Sequence, residues 1–553
     1  MKNYFLLLVV ATGLFTACGN GKSGEQAEEN EREKKKISAR DYSITPAVAY
    51  NDLFIDSNLV ASFIDTSQTS DKVKRRIISF YNARNYQFAW FSSDGLTEQA
   101  KGFWNLYHYD AKHNSDSLLL DKKLQVKMDN LFAEEDLSVN SSDKKFIQTE
   151  LMITRLFIEH GLTVYEDGYV KRKEMERFVP LKKTNPLQLA DSLVNKKHKN
   201  DKYFDDINES YKSLKEYMAR YLEVAKKGGW PIVQMSEKSL KPGASSPAIL
   251  TIKKRLQLSG DYNGQDTTAV YDASLEAAVR SFQERHGYTA DGVIAASTIK
   301  EINIPIEQTI QKLLINLDRM RWVPSKPSGN LILVNIPEFV LHVMEGPNKV
   351  FDMNVVVGKE GNSTVMFTDE LNQVVFSPYW NVPPSIVKEE ILPSINKNPN
   401  YLAAQNMEIV KQEGDLPVVR QLPGGKNALG KVKFLFPNTF NIYFHDTPSK
   451  SLFNKDKRAF SHGCIRLAEP EKMANYLLRN NSEWTPEKIN EAMNAGEEKF
   501  VKLKKSVPVF ITYYTAWVDE QGRLNFRDDI YGHDNKLAKK MFGLNTSSVT
   551  AKK

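Results

Sequence analysis

Two short stretches decide how this chain is read: Asn441-Ile442-Tyr443-Phe444-His445-Asp446, and then Ser461-His462-Gly463-Cys464-Ile465-Arg466-Leu467. In the first, Ile442 and Phe444 alternate with Tyr443 and His445, the period of a strand with one buried face, and His445 falls at its end. In the second, Gly463 lets the backbone bend, so that main-chain N–H groups near Cys464 could point at an oxyanion. A thiol is a poor nucleophile until ionised, and a neighbouring imidazolium lowers its pKa from about 8.5 into a range of roughly 3.5–7.5. His445 and His462 are both candidates for that neighbour. His462 stands two residues before Cys464, so in a strand both would face one side of the sheet, whereas His445 could meet the thiol across it. Arg466 adds a permanent charge and a fork suited to a carboxylate. The residues alone leave two other readings open. Cys464 could be a small buried hydrophobe, or it could join His445 and His462 around zinc, although no further cysteine or HExxH pattern supports a metal.

The surrounding sequence is strand-like. Leu331–Ile336 reads as a strand, Pro337-Glu338 as a turn and Phe339–Val343 as a return strand. Phe351–Val357, ending at Gly358, is a third, and Gln373–Phe376 a fourth. The chain stays mainly β to about Thr512, except for a polar, Pro- and Asn-rich stretch over 383–430. A stretch of that length inside a compact domain predicts a lid or inserted subdomain rather than a plain loop.

His445, a gap of fifteen residues from Asp446 to Phe460, and then Ser461-His462-Gly463-Cys464-x-Arg466 resembles the signature of the L,D-transpeptidase catalytic domain, the YkuD type. Pro378-Tyr379-Trp380-Asn381-Val382-Pro383-Pro384-Ser385-Ile386, and Pro423 to Gly430 with Lys433 to Asn438, resemble the large periplasmic subgroup of that family. The resemblance implies a multidomain α+β protein: a helical scaffold, a three-helix peptidoglycan-binding domain, and a mainly-β catalytic domain over 329–515 with its lid. It implies Cys464 as nucleophile and His445 as the imidazole that activates it. It further implies N–H groups around His462–Cys464 as the oxyanion site, with Ser461, His462 and Gly463 as motif positions, and Arg466 as a residue that orders the pocket or holds a stem carboxylate. Asp446 stands where some members have Ser; either its carboxylate or a backbone carbonyl could orient His445.

The reaction so implied joins two peptidoglycan stem peptides through a Cys464 thioester into a 3→3 crosslink. Its partners would be stem peptides and glycan, with carbapenem-type inhibitors, and it needs no cofactor, no metal and no nucleic acid. Passing the same thioester to water would make a stem-peptide hydrolase instead. A non-catalytic wall-tethering lipoprotein is the alternative outside enzymes. The order of His445 before Cys464 is the reverse of papain-like peptidases.

Upstream, Lys238–Pro247 reads as a linker, and residues 248–305 as a small unit. Leu250, Ile252 and Leu256 mark one helix, and Leu275, Ala278, Val279 and Phe282 a second, capped by Asp272 or Ser274. Phe282-Gln283, His286-Gly287 and Asp291-Gly292 at these spacings resemble the peptidoglycan-binding domain; His286 and Asp291 alone are poor evidence for a metal. Residues 306–325 predict a helix returning to the scaffold, which occupies 41–237 with stripes such as Val73, Ile77, Phe80 and Tyr81. Residues 516–553 read as a polar, basic tail.

The N-terminus carries a basic start, an apolar stretch from Tyr4 to Ala17, and Cys18. That stretch is too short to span a bilayer and describes a signal peptide over 1–17. Phe15-Thr16-Ala17-Cys18 resembles a lipobox, with Phe15 where Leu is usual, which implies lipidation of Cys18, a tether over 18–40 and a periplasmic, membrane-anchored protein. The composition fits globular domains: 553 residues, 41% hydrophobic, 26% charged, and a net charge of +7 that makes no case for nucleic acid. Two cysteines exclude a disulfide scaffold and a Cys-rich zinc module.

Overall fold

The computed structural model describes residues 37–113, 121–134, 137–164, 178–195, 209–324, 329–414 and 416–543. The expected signal peptide and Cys18, and most of the tether, lie outside these residues.

Alternating apolar runs build the β-rich unit. Its strands are β1 (Asn330–Asn335), β2 (Val340–Glu345), β3 (Asn348–Gly358), β4 (Phe367–Phe376), β5 (Val432–Leu435), β6 (Phe444–His445), β7 (Ala459–Ser461), β8 (Ile465–Leu467) and β9 (Lys499–Thr512). They form one sheet in the order β7-β3-β8-β6-β5-β4-β9-β1-β2, and β2 pairs back onto β3, so the sheet closes into a barrel. Closure leaves few open edges, and one side of each strand fills the interior. Val334, Leu341, Val355, Val374, Phe434, Phe444, Ile465 and Leu467 are all fully buried in this core. Most neighbours are antiparallel, but β6 and β8 run parallel, with Phe444 opposite Ile465 and His445 opposite Arg466.

Between β4 and β5 the chain leaves the barrel. Trp380–Asn381, Leu416–Gln421 and Met407–Glu413 make a separate three-stranded sheet. Short helices cover it, among them a π-helical turn at Val387–Ile391. Val382, Val387, Ile391 and Val419 give the insert its own small core, as the sequence of 383–430 predicts.

The helical unit takes its core from three separated parts of the chain. The stripe Val73, Ile77, Phe80 and Tyr81 lies buried on helix Asp71–Ala83, whose Ser70 caps the N–H of Val73. Phe88, Trp90 and Phe91 are wholly enclosed beside it. Helix Ile306–Met320 returns to this core, burying Ile310, Leu313, Leu314 and Leu317.

The third part corrects the expected tail over 516–553. Residues 516–543 fold into a hairpin, Ala516–Val518 with Leu524–Phe526, and a helix, His533–Phe542. Ala516, Leu524, Phe526, Leu537, Ala538, Met541 and Phe542 are buried in the helical core. The barrel is therefore inserted into the helical unit, entered after Met320 and left before Ala516.

The small unit holds three helices, Ala248–Ser259, Ala273–Arg285 and Ala296–Ile302. Asp272, not Ser274, caps the second, accepting from the N–H of Leu275 at 2.8 Å. Leu250 is 44% exposed; Ile249 takes its place in the buried stripe with Ile252 and Leu256. The expected linker is part of this unit as well. Leu240 is buried and bridges Ile294, and Ser245 bridges Val270.

Candidate active site

The parallel register of β6 and β8 places the candidate residues. Paired residues in parallel strands share a face, and alternate residues lie on the same side. Phe444, Ile465 and Leu467 point into the barrel core, so His445 and Arg466 share the opposite face, and Tyr443 and Cys464 stand at the starts of the two strands. Cys464 stands level with Tyr443, whose carbonyl accepts the N–H of Ile465 at 3.1 Å.

Cys464 is a free, partly buried thiol, and its Sγ donates to the carbonyl of Asn441 at 3.5 Å. Asn441 itself adopts a φ of +53°, sparsely populated for any residue but glycine. Burial pushes the thiol pKa up to about 11, against hydrogen bonding from Tyr443 and the charge of Arg466, which pull it down. The Tyr443 ring lies 5.8 Å from that of His445. Tyr443 is the neighbour of the thiol that the reading of histidines and cysteines passed over. The alternation Tyr443/His445 was the signal that could have found it.

His445 is 4% exposed. Its Nδ1 donates to the main-chain carbonyl of Asp446, which leaves Nε2 as the acceptor. Burial pushes the imidazole pKa down to about 3, and the charge of Arg466 acts in the same direction. Both shifts favour the uncharged thiol and the uncharged imidazole near neutral pH. The Asp446 carboxylate is engaged elsewhere: one oxygen accepts from Lys450 Nζ at 2.6 Å, the other from the N–H of Lys431 at 2.9 Å. Of the two groups that could orient His445, the carbonyl does so.

Residues 462–464 form a turn between β7 and β8 rather than a strand, which overturns the same-face reading of His462 and Cys464. Gly463, at φ +110°, makes that turn possible. Buried Ser461 clasps it: its Oγ donates to the carbonyl of Cys464 at 2.5 Å and accepts the N–H of Gly463 at 3.2 Å. His462 faces the lid, where its Nε2 lies 3.0 Å from Glu390 Oε1 on the π-helical turn. Arg466 is half-buried, and its Nε is enclosed without a hydrogen-bond partner among the described residues. The lid meets the barrel through buried Asn427, whose amide donates to the carbonyls of Pro378 and Leu422 at 2.9 and 3.0 Å.

His286 and Asp291, and the strand residue His342, have structural partners. The His286 ring is stacked between Phe282 and Phe526, at 3.9 and 5.0 Å, and its Nδ1 meets the Phe282 carbonyl. Asp291 accepts from Gln283 and from the N–H of Val293, so the two do not converge. His342 lies between Asp352 and Glu338, which raise its pKa to about 9 against the effect of burial. Among the described residues no group of three or more His, Cys, Asp or Glu side chains is placed to hold a metal ion.

One side of the β6–β8 pair thus carries His445 and Arg466, with the Cys464 thiol beside them and the lid residue Glu390 at His462. Residues 329–511 match the family model of the L,D-transpeptidase catalytic domain, YkuD. Residues 75–218 match that of the scaffold domain, and 245–302 the one described as "Putative peptidoglycan binding domain". Three parts of the chain are thus similar to, in order, a scaffold domain, a peptidoglycan-binding domain and the YkuD L,D-transpeptidase catalytic domain.

A curated relative from Haemophilus influenzae, described as "Putative L,D-transpeptidase", is 32% identical over 255 residues. The match covers 43% of this chain and 50% of the relative, so the chain spans about half of that relative's length. Among solved structures, the L,D-transpeptidase (Yku) of Stackebrandtia nassauensis is 14% identical, with 50% of this chain and 97% of that one covered and a TM-score of 0.22. L,D-transpeptidase 3 of Mycobacterium tuberculosis, in complex with a faropenem-derived adduct, is 14% identical, with 34% and 62% covered and a TM-score of 0.18.

Proposed function

We propose that this protein is a peptidoglycan L,D-transpeptidase that forms 3→3 crosslinks between stem peptides through an acyl-thioester on Cys464. The observation that supports this reading is the hydrogen bond from His445 Nδ1 to the Asp446 carbonyl, which leaves Nε2 as an acceptor on the strand paired with the one that follows Cys464.

In the first step Sγ attacks the carbonyl joining the third stem residue to the terminal D-alanine. His445 Nε2 takes the thiol proton and delivers it to the departing amine. Free D-alanine leaves, and the stem remains as a thioester. In the second step the side-chain amine of another stem's diamino acid attacks the thioester, its proton passes to His445, and the thiol re-forms. Splitting the amide exchange in this way replaces one difficult step by two easier ones. Because Ser461 Oγ takes the Gly463 N–H, the N–H groups of His462 and Cys464 are the turn's donors toward the oxyanion. Arg466, half-buried on the same face, supplies the positive charge that would attract a stem carboxylate. Carbapenems mimic the acylated stem and would trap Cys464. The enzyme acts outside the cytoplasm, tethered by a lipid on Cys18.

Incubating the protein with tetrapeptide-stem muropeptides tests the reading by mass spectrometry. Dimers formed with loss of D-alanine support it. Shortened stems without dimers would make the protein a hydrolase on the same thioester, and no product at all would leave it a wall tether.

A further inference from the structure

The turn that presents Cys464 is held from behind by Thr364, which is held in turn by Tyr531, a residue beyond the matched catalytic domain. The carbonyl of Gly463 accepts from Thr364 Oγ1 at 2.7 Å. The same hydroxyl accepts the N–H of Gly358, at the end of β3, at 2.9 Å. Tyr531 closes the arrangement: its hydroxyl donates to the Gly358 carbonyl at 2.6 Å and accepts the N–H of Thr364 at 3.3 Å. All these groups are buried, so each unmade hydrogen bond would be costly. The loop between Gly358 and Thr364 is tight as well. A Cβ at Gly358 would come within 2.1 Å of the Asn362 carbonyl and 2.8 Å of the Thr364 nitrogen.

Tyr531 is itself fixed. Its N–H donates to the Tyr513 hydroxyl at 2.9 Å, that hydroxyl donates to Asp529 at 2.7 Å, and the two rings stack at 5.5 Å. Further along the same segment, Asp534 pairs with Arg319 and accepts from Thr515 at 2.6 Å, while Arg319 also binds Glu98 of the helical unit. An unbroken set of hydrogen bonds therefore runs from the returning segment 513–535 to the carbonyl of Gly463.

We infer that Tyr531, acting through Thr364, is a positioning residue that holds the Gly463 peptide and so aims the neighbouring N–H groups at the oxyanion; the inference rests on the transpeptidase reading of this site. A displacement of about 1 Å in such a group can cost on the order of a hundredfold in rate. The hydrogen bonds of Thr364 and Tyr531 go to the main chain and to Tyr513 rather than to thiol or imidazole, so their effect falls on oxyanion stabilisation and not on access to the sulfur.

The test compares two reactions of the full chain: acylation of Cys464 by a carbapenem, which needs the oxyanion donors, and alkylation by iodoacetamide, which does not. Tyr531→Phe keeps the stacked ring and removes the hydroxyl. Acylation should slow by roughly tenfold or more while alkylation stays within about twofold of the wild type. Thr364→Val should behave likewise, and Thr364→Ser, which keeps the hydroxyl, should restore the rate. Thermal melting identifies any variant that fails to fold, and the Thr364 pair then carries the test. Equal acylation by wild type, Tyr531→Phe and Thr364→Val overturns the positioning role, as does parallel slowing of both reactions. Absence of acylation in the wild type overturns the transpeptidase reading itself, and the positioning role with it.

Discussion

The Nδ1 of His445 donates to the main-chain carbonyl of Asp446, the very next residue, while the Asp446 side chain turns away to Lys450 and the N–H of Lys431. A peptide carbonyl thus fixes the tautomer. Asp446→Asn should leave the imidazole in place and lower carbapenem acylation by less than about tenfold. Loss of its buried contacts should cost on the order of 1–3 kcal/mol in stability, read by denaturant unfolding. A carboxylate acting as the third catalytic member would instead show a loss on the order of 10⁴.

The neutral resting pair has a signature in pH. With the thiol pushed up to about 11, the iodoacetamide rate at Cys464 should keep rising through pH 10, whereas a preformed thiolate–imidazolium pair would level off near neutrality. The imidazole works in the opposite sense. Its folded pKa, about 3, lies below the ordinary His value near 6.5. The neutral form therefore adds stability that is complete above pH 6.5 and drains away as pH falls from 6.5 toward 3. His445→Gln should flatten that acid limb, as followed by thermal melting between pH 7 and 4.

Segment 516–543 is structural. Leu524, Phe526, Leu537, Met541 and Phe542 are buried in the helical core. At about 1.5–3 kcal/mol for each buried side chain, their loss removes roughly 7–15 kcal/mol, comparable with the whole stability of a domain. A chain ended at Thr512 should aggregate or melt far below the full protein in a thermal scan.

The contact between His462 and Glu390 links the nucleophile turn to the lid, yet it is well exposed. Exposed pairs contribute about 0–1 kcal/mol. Glu390→Gln should therefore change the acylation rate by less than about fivefold, measured at low and high salt. A hundredfold loss would give this pair a part in the reaction.

How far the sequence reveals these features depends on how local their causes are. The strand Asn330–Asn335 is legible as a short apolar run, and Phe444–His445 as the end of an alternation, because both patterns are properties of neighbouring residues. The geometry of His462 was not, since a single glycine at φ +110° converts a strand period into a turn. Segment 516–543 looked like a tail because its apolar residues are sparse and find their partners far away in the chain. Tyr217 binds the Gly522 carbonyl, and the Met541 carbonyl accepts the N–H of Thr184. The orienting carbonyl of Asp446 carries no side-chain signature, so no residue type could announce it. Tyr443 could have been found, because it stands two residues before His445 in the same alternation.

Intact-protein mass spectrometry after incubation with a carbapenem tests the central claim most directly. One adduct on the wild type, mapped to Cys464 and absent from Cys464→Ala, is the predicted result. No adduct on the wild type, or an equal adduct on Cys464→Ala, would contradict it.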